Sequence, residues 1–335
     1  MSESLRVVST RGGITESVHR VSVAVVDHGG ALVAQAGEPE LVAFWRSAAK
    51  PFQGYVLVAD GAAGKFGFGP KELALACASH SSEPAHLEVA DGMLRKIGLP
   101  ETALACGPHP PLSPAVYEHV LRHGITMTPR WSNCSGKHAG MLASCLHAGW
   151  PTEGYERTEH ALQQRIIGDV VGWTGLSREQ LVLGTDGCTV TCFGLSLRAM
   201  ATAYARFATT DDAAMRPLRE AMQAHPELVA GSGRLETDVG QATNGAVIAK
   251  VGADGVYCAA LPWAGLGVAL KVEDGDMLSS APALMSVLHQ LSARRDLGFA
   301  PQGLPATVKR HVTLPIVNTR GVETGVTRAE GSLRF

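Results

Sequence analysis

Three short segments of this chain set serines and lysines at spacings that could do nucleophilic chemistry. In Arg46-Ser47-Ala48-Ala49-Lys50-Pro51-Phe52 a serine precedes a lysine by three residues. Pro51 has no N–H and is tolerated only in a first helical turn, so a helix here starts near Ala48 and Ser47 falls at its N-terminus. The spacing puts hydroxyl and amine on one face. The free N–H groups and dipole of a helix start favour an alkoxide or oxyanion there, and a desolvated lysine can shed its proton and act as the base for a serine. S-x-x-K alone is common, and its ordinary reading is a capping serine beside a solvated lysine. A second serine segment, Ala78-Ser79-His80-Ser81-Ser82-Glu83, ends one predicted helix and leads into the next before Pro84. A third segment, Lys250-Val251-Gly252, lies in the first predicted strand after a long helical block.

A different chemistry is set out in Ser132-Asn133-Cys134-Ser135-Gly136-Lys137-His138-Ala139-Gly140-Met141, where a thiol, an amine and an imidazole precede an apolar helix. Further on, Gly184-Thr185-Asp186-Gly187-Cys188 reads as a turn that delivers another cysteine to a helix start, with Cys192 four residues later on the same face. Thiols at helix N-termini are acidified, which makes Cys134 and Cys188 better metal ligands than the mid-helix Cys145 and Cys192. The seven cysteines are an odd number, which favours free thiols or metal ligands over a disulfide framework. Neither C-x-x-C nor H-E-x-x-H occurs.

The elements that must carry these residues follow from hydrophobic spacing. Residues 18–27 (VHRVSVAVVD), then His28-Gly29-Gly30 and ALVAQAG, read as a hairpin, followed by a short extended stretch near Leu41 to Trp45. From about 47 to 240 the spacing turns helical, with segments near 70–78, 84–97, 134–148, 154–171, 188–207 and 212–224. Strand patterns return at GAVIAKVG, GVYCAAL and GVALKV, before an amphipathic helix from about Leu278 to Arg295 and an extended tail from 305. This order predicts an α/β (α+β) catalytic unit over 1–335: an antiparallel sheet subdomain from 1–45 plus 244–335, and a mainly helical subdomain, 46–243, inserted into it. Chemistry is expected where the chain crosses between the two.

Composition narrows the partners. With 335 residues, 45% hydrophobic and 18% charged, the chain can bury a full core. A formal net charge of -2 provides no basic field for nucleic acid or an anionic membrane surface. No apolar run reaches a membrane span, and the opening Met-Ser-Glu-Ser-Leu-Arg lacks the pattern of a signal peptide, so a cytoplasmic location is expected.

S-x-x-K, then a serine loop, then K-x-G on a late strand is the order found in serine β-lactamases and penicillin-binding proteins. Longer segments carry a closer likeness: RGGITESVH (11–19), RSAAKPFQ (46–53), ASHSSEPAH (78–86), SNCSGKHAGM (132–141), GTDGC (184–188) and AKVGADGV (249–256). They resemble the rhizobial-type, class 3 L-asparaginases over most of the chain. The resemblance implies a serine β-lactamase-like, glutaminase-like fold, a homodimer, and hydrolysis of L-asparagine to L-aspartate and ammonia. It matches Ser47 and Lys50 to one Ser-Lys tandem and Ser79 with Lys250 to a second, with Lys271 on another late strand as the alternative partner. It matches Cys134, Lys137 and Cys188 to zinc ligands, with water in a fourth position, and Arg46, His138 and Asp186 to residues lining the amino-acid site. Some members carry Cys where this chain has Glu236, so no role of that thiol is inherited.

A lysine ligand must bind zinc as the neutral amine, and neutralising Lys137 at pH 7 costs about 4.6 kcal/mol from a reference pKa near 10.4. Zinc is therefore expected to position substrate and tune its binding, not to generate the nucleophile. Two other readings use the same residues: a cytoplasmic β-lactamase or penicillin-recognising hydrolase, and a zinc-dependent amino-acid binding protein without turnover.

Overall fold

The computed structural model describes residues 5–295 and 304–335. Its strands, in chain order, are β1 (Leu5–Arg11), β2 (Ile14–Asp27), β3 (Leu32–Ala36), β4 (Val42–Phe44), β5 (Val182–Thr185), β6 (Thr191–Ser196), β7 (Ile248–Val251), β8 (Val256–Leu261), β9 (Leu266–Val272), β10 (Thr313–Val317) and β11 (Glu323–Glu330). The chain forms two compact units, one of Met1–Ala48, Leu195–Thr209 and Ala246–Phe335, the other of Ala49–Gly194 and Thr210–Gly245.

The first unit is built on an antiparallel sheet in the order β10-β11-β1-β2-β9-β8-β7, with β3 on the second half of β2. The alternation and turn signals of residues 18–36 produce the expected hairpin, closed by the Asp27 carboxylate, which accepts from the backbone N–H groups of Gly29 and Ala31 at 2.9 and 3.0 Å. Along β2 the residues from Val21 to Val26 are all buried, although successive side chains point to opposite faces, so both faces of the sheet are covered here. Helices Leu197–Thr209 and Ser280–Arg295 pack on it. The first comes close because it is alanine-rich and meets Gly267 of β9, where a Cβ would stand 2.0 Å from the Ala201 carbonyl oxygen. Lys250 lies on β7, in register with Cys258 of β8, while Lys271 lies on β9, in register with Ser22 of β2.

The second unit is helical around Ser135–Ala148, which is buried on every side from Ser135 to Cys145. It packs on helices Tyr55–Ala59, Ala62–Lys65, Pro70–Ala76 and Pro84–Ile97. Close approach is again set by small residues: a Cβ at Gly136 would stand 2.4 Å from the Leu75 carbonyl oxygen, and one at Gly140 would stand 3.2 Å from Leu57. β5 and β6 pair as a hairpin in this unit through 182–185 and 191–194.

An antiparallel sheet assembled from N- and C-terminal segments, with a helical stretch inserted, is the architecture the element order predicts. Two segments differ from the sequence reading. The helix expected over 154–171 spans Ala161–Thr174, because residues 151–160 are occupied by turns. The helix expected over 188–207 begins only at Leu197, and its first part is β6. Every residue from Thr191 to Leu195 is buried, and a stretch apolar all round carries no period that separates strand from helix. Leu195–Thr209, placed by the sequence reading within a helical block of 46–243, groups with the sheet.

Candidate active site

Lys50 opens a short helix, Lys50–Gln53, that follows a 3-10 turn over Arg46–Ala49. Pro51 occupies the first helical turn, where its missing N–H costs nothing, and this sets the start as the sequence requires. Ser47 sits within the preceding turn. Lys50 is fully buried, and its Nζ lies 2.5 Å from the Ala78 carbonyl, 2.9 Å from Ser79 Oγ and 3.4 Å from the Asn133 carbonyl. All three partners are neutral oxygens.

Ser79 is held by its own backbone. Its N–H donates to the Val229 carbonyl at 3.0 Å, and its carbonyl accepts from Arg234 Nη1 at 2.5 Å. Arg234 in turn pairs with the buried Glu236 carboxylate at 3.2 Å. The neighbouring residues are fixed as firmly: Ser81 Oγ donates to the Ala230 carbonyl at 2.8 Å, and Ser82 Oγ to the Trp131 carbonyl at 2.7 Å. His80 Nδ1 accepts from the Ser82 N–H, which leaves its Nε2 to donate to Ser135 Oγ at 2.8 Å. Burial above all, with His86 and Lys50 nearby, keeps that imidazole well below its ordinary pKa and therefore neutral. Sequence reasoning singled out Ser79, but Asn133, Arg234 and His80 carried no signal beyond lying in or near the quoted segments.

The second predicted cluster also assembles. Cys134 is the residue before helix Ser135–Ala148, and Lys137 lies in the first turn of that helix. Lys137 Nζ is 2.9 Å from Cys188 Sγ, and Cys134 and Cys188 hydrogen-bond each other. The two thiols part company electrostatically. The hydrogen bond from Cys134 and the Lys137 cation hold Cys188 far below the usual thiol range, whereas accepting thiolate Cys188 as its neighbour pushes Cys134 up. Lys137 is pulled down by burial, but the Cys188 and Cys134 sulfurs and Asp186 more than offset this and raise it. The result is a buried ammonium–thiolate pair with a neutral thiol beside it. Cys188 is not at a helix start: it lies in the β5–β6 turn, and Cys192 lies on β6, so the acidity of Cys188 comes from Cys134 and Lys137 and not from a helix dipole.

These three donors fit a zinc ion in type and number, since three protein ligands with a fourth position left open is a common zinc arrangement. Among the described residues no group of three or more His, Cys, Asp or Glu side chains is placed to hold a metal ion, so a site here would need the lysine as its third ligand. In the ion pair, Nζ and Sγ stand 2.9 Å apart, closer than the roughly 3.5 Å of two ligands in a tetrahedral zinc site. Metal would have to take the place of the shared proton.

The residues matched to the amino-acid site are distributed as follows. Asp186 lies in the β5–β6 turn, where its Oδ1 accepts from the Gly187 N–H at 2.8 Å. His138 is fully buried, with Nδ1 2.7 Å from the Tyr155 hydroxyl. Burial and then the Lys137 cation push it down to about 3, so its imidazole is neutral. Arg46 adopts a left-handed backbone, φ 54°, and its guanidinium pairs with the Asp254 carboxylate of the β7–β8 turn. Lys250 is fully buried with Nζ 3.0 Å from the Val251 carbonyl, while Lys271 is half-buried and reaches the Val272 and Glu273 carbonyls.

The structure joins a buried serine–lysine hydrogen bond to a chain with an antiparallel sheet and a helical insertion, and comparison with known proteins gives the family. The family model for L-asparaginase II matches residues 7–329, and the chain belongs to that family. None of the curated proteins compared with it matches. Among solved structures, it is similar to Mglu in its native form in the presence of 4.3 M NaCl, at 17% identity and a TM-score of 0.38, over 84% of this chain and 62% of that one. The chain thus spans less than two thirds of that protein's length, and the likeness is too distant to carry an argument about the site. No helix among the described residues is long and apolar enough to cross a membrane.

Proposed function

We propose that this chain hydrolyses L-asparagine to L-aspartate and ammonia by a serine–lysine mechanism, and that the Lys50–Ser79 contact handles the proton. A neutral amine has two hydrogens and one lone pair, whereas an ammonium has three hydrogens. The Ala78 and Asn133 carbonyls can only accept, so they take the same two hydrogens in either form. The remaining position faces the Ser79 hydroxyl at 2.9 Å, a group that can donate or accept. It is through this position that Lys50 gains and loses its proton, and this observation carries the reading.

In this scheme Ser47, three residues before Lys50, attacks the side-chain amide carbon, and its proton reaches Lys50. Collapse of the tetrahedral intermediate breaks the C–N bond, and the departing nitrogen takes a proton from Ser79, which is replenished from Lys50. The aspartyl ester is then hydrolysed by water as the same pair works in reverse. Lys250 is assigned to the second tandem as a fixed cation, Arg46 to the α-carboxylate and Asp186 to the α-ammonium group. Zinc, held by Cys134, Lys137 and Cys188, would supply a Lewis-acidic open position for a substrate oxygen and so tune binding.

The experiment is ammonia release from L-asparagine and L-glutamine by purified protein, beside Ser47→Ala. Turnover of asparagine that vanishes in Ser47→Ala, with an aspartyl hydroxamate formed when hydroxylamine is added to the wild type, supports the scheme. No ammonia from either amide, with zinc supplied or chelated, overturns the substrate assignment.

A further inference from the structure

The Tyr155 hydroxyl, buried and one hydrogen bond away from His138, has a defined set of partners. It accepts from the Ala105 N–H at 2.9 Å and lies 2.7 Å from His138 Nδ1. The Tyr155 carbonyl accepts from Gln163 Nε2 at 3.0 Å, and the tyrosine and histidine rings meet edge to face with centroids 5.6 Å apart. Both ends of the tyrosine are therefore fixed. Its hydroxyl has one hydrogen to give. With the Ala105 N–H already donating to it, that hydrogen has His138 Nδ1 as its acceptor. The reverse arrangement, Nδ1–H donating to the phenol, would leave the phenol hydrogen buried with nothing to accept it, at the full desolvation cost of that group.

The other end of the imidazole completes the argument. With Nδ1 accepting, a neutral ring carries its hydrogen on Nε2. His138 Nε2 is buried and has no hydrogen-bond partner among the described residues. His138 directly follows Lys137 on helix Ser135–Ala148, and its backbone N–H donates to the Cys134 carbonyl at 3.0 Å, which places it beside the residues of the proposed chemistry. A buried and unspent N–H is what a ligand oxygen would complete.

We propose that Tyr155 is a positioning residue for specificity: it locks His138 as the Nε2–H tautomer, so that this point of the site selects a carbonyl or carboxylate oxygen and rejects an amine or amide NH₂ group. The inference deepens the asparaginase reading and rests on it for the identity of the ligand, but not for the tautomer. It also makes the Ala105 backbone N–H the origin of a three-member chain, Ala105 to Tyr155 to His138, in which each member donates to the next.

The test has two arms. Long-range ¹⁵N–¹H NMR on labelled wild type, with His138→Gln to identify the resonances, reads the tautomer without any turnover: a protonated Nε2 and a bare Nδ1 are expected. Kinetics of Tyr155→Phe, which keeps the ring and removes the hydroxyl, should show a KM for L-asparagine raised about tenfold, the effect of one buried hydrogen bond, with kcat within about twofold of wild type. A merely structural tyrosine would lower the amount of folded enzyme and leave KM unchanged. A protonated Nδ1 in the wild type overturns the proposal whether or not Tyr155→Phe folds, and so does an unchanged KM in a folded variant. If the wild type releases no ammonia from asparagine, the substrate reading falls while the NMR arm still decides the tautomer.

Discussion

Lys50 and Lys137 are both buried in the helical unit, yet they are built for opposite tasks. Lys50 faces two carbonyls and a hydroxyl, all neutral oxygens, and one of them can exchange a proton with it. Lys137 faces the Cys188 thiolate and is held as an ammonium by it, with Cys134 and Asp186 adding to the hold. Burial is common to both, so burial does not decide what a lysine does. The partner does: a hydroxyl allows the exchange that the proposed relay needs, whereas a thiolate makes an ion pair that would give up its proton only to something that replaces it, such as a metal ion.

The largest effect that would break this comparison is expected at Lys50. Lys50→Met should lower kcat for asparagine by at least about a thousandfold, and Lys50→Arg should fare no better, because a guanidinium stays protonated and cannot act as the base. Circular dichroism of both variants checks that the fold is kept. If Lys50→Arg retains substantial turnover, the relay is not through this nitrogen.

At Lys137 the expected loss is in binding. Lys137→Met or removal of zinc by a chelator should raise KM more than it lowers kcat, and unchanged KM on chelation would place zinc outside the substrate site. Because the metal must displace both the Lys137 proton and the Cys134 thiol proton, zinc affinity should strengthen by up to about a hundredfold per pH unit below both pKa values. Competition with a chromophoric chelator at pH 6.5 and pH 8.5 measures this slope, and a slope no steeper in the wild type than in Lys137→Met would mean that Lys137 is not a ligand.

Gly136→Ala tests how the Lys137 arm is placed. The added methyl would meet the Leu75 carbonyl at 2.4 Å and force apart helix Ser135–Ala148 and helix Pro70–Ala76. Overpacking of this kind costs typically 1–3 kcal/mol, read as a lower denaturant midpoint.

Asp169 gives the smallest expected effect and contrasts with both lysines, since its ion pair does not fully compensate its burial. Burial raises this carboxyl to about 6, with the Arg165 cation only partly opposing, and its second oxygen has no partner among the described residues. The folded state therefore holds the proton more tightly than the unfolded chain does. Stability should be greatest below about pH 4 for this group and fall by roughly 1–3 kcal/mol as pH rises through 6. Asp169→Asn should remove that decline, which denaturant melts at pH 4 and pH 7.5 would show.

Much of this was legible in the sequence where local chemistry dictates structure. Pro51 sets the start of helix Lys50–Gln53, the His28-Gly29-Gly30 turn closes the hairpin, and short apolar runs bounded by glycine turns mark β7, β8 and β9. Less legible were features made by tertiary contact. β6 is buried on both sides and shows no period, so it was read as helix. The acidity of Cys188 was anticipated from a helix start that does not exist, and arises instead from residues 51 and 54 positions away. Arg234 reaches the Ser79 carbonyl from 155 residues away, and no local pattern announces such a contact.

A double-mutant cycle on kcat, with Lys50→Met, Ser79→Ala and the two combined, tests the central claim most directly. If lysine and serine move one proton as a unit, each single variant already loses nearly all that the pair provides, and the double variant is no slower than the worse single. If the two losses multiply, the residues act independently, and the relay proposed from their 2.9 Å contact is wrong.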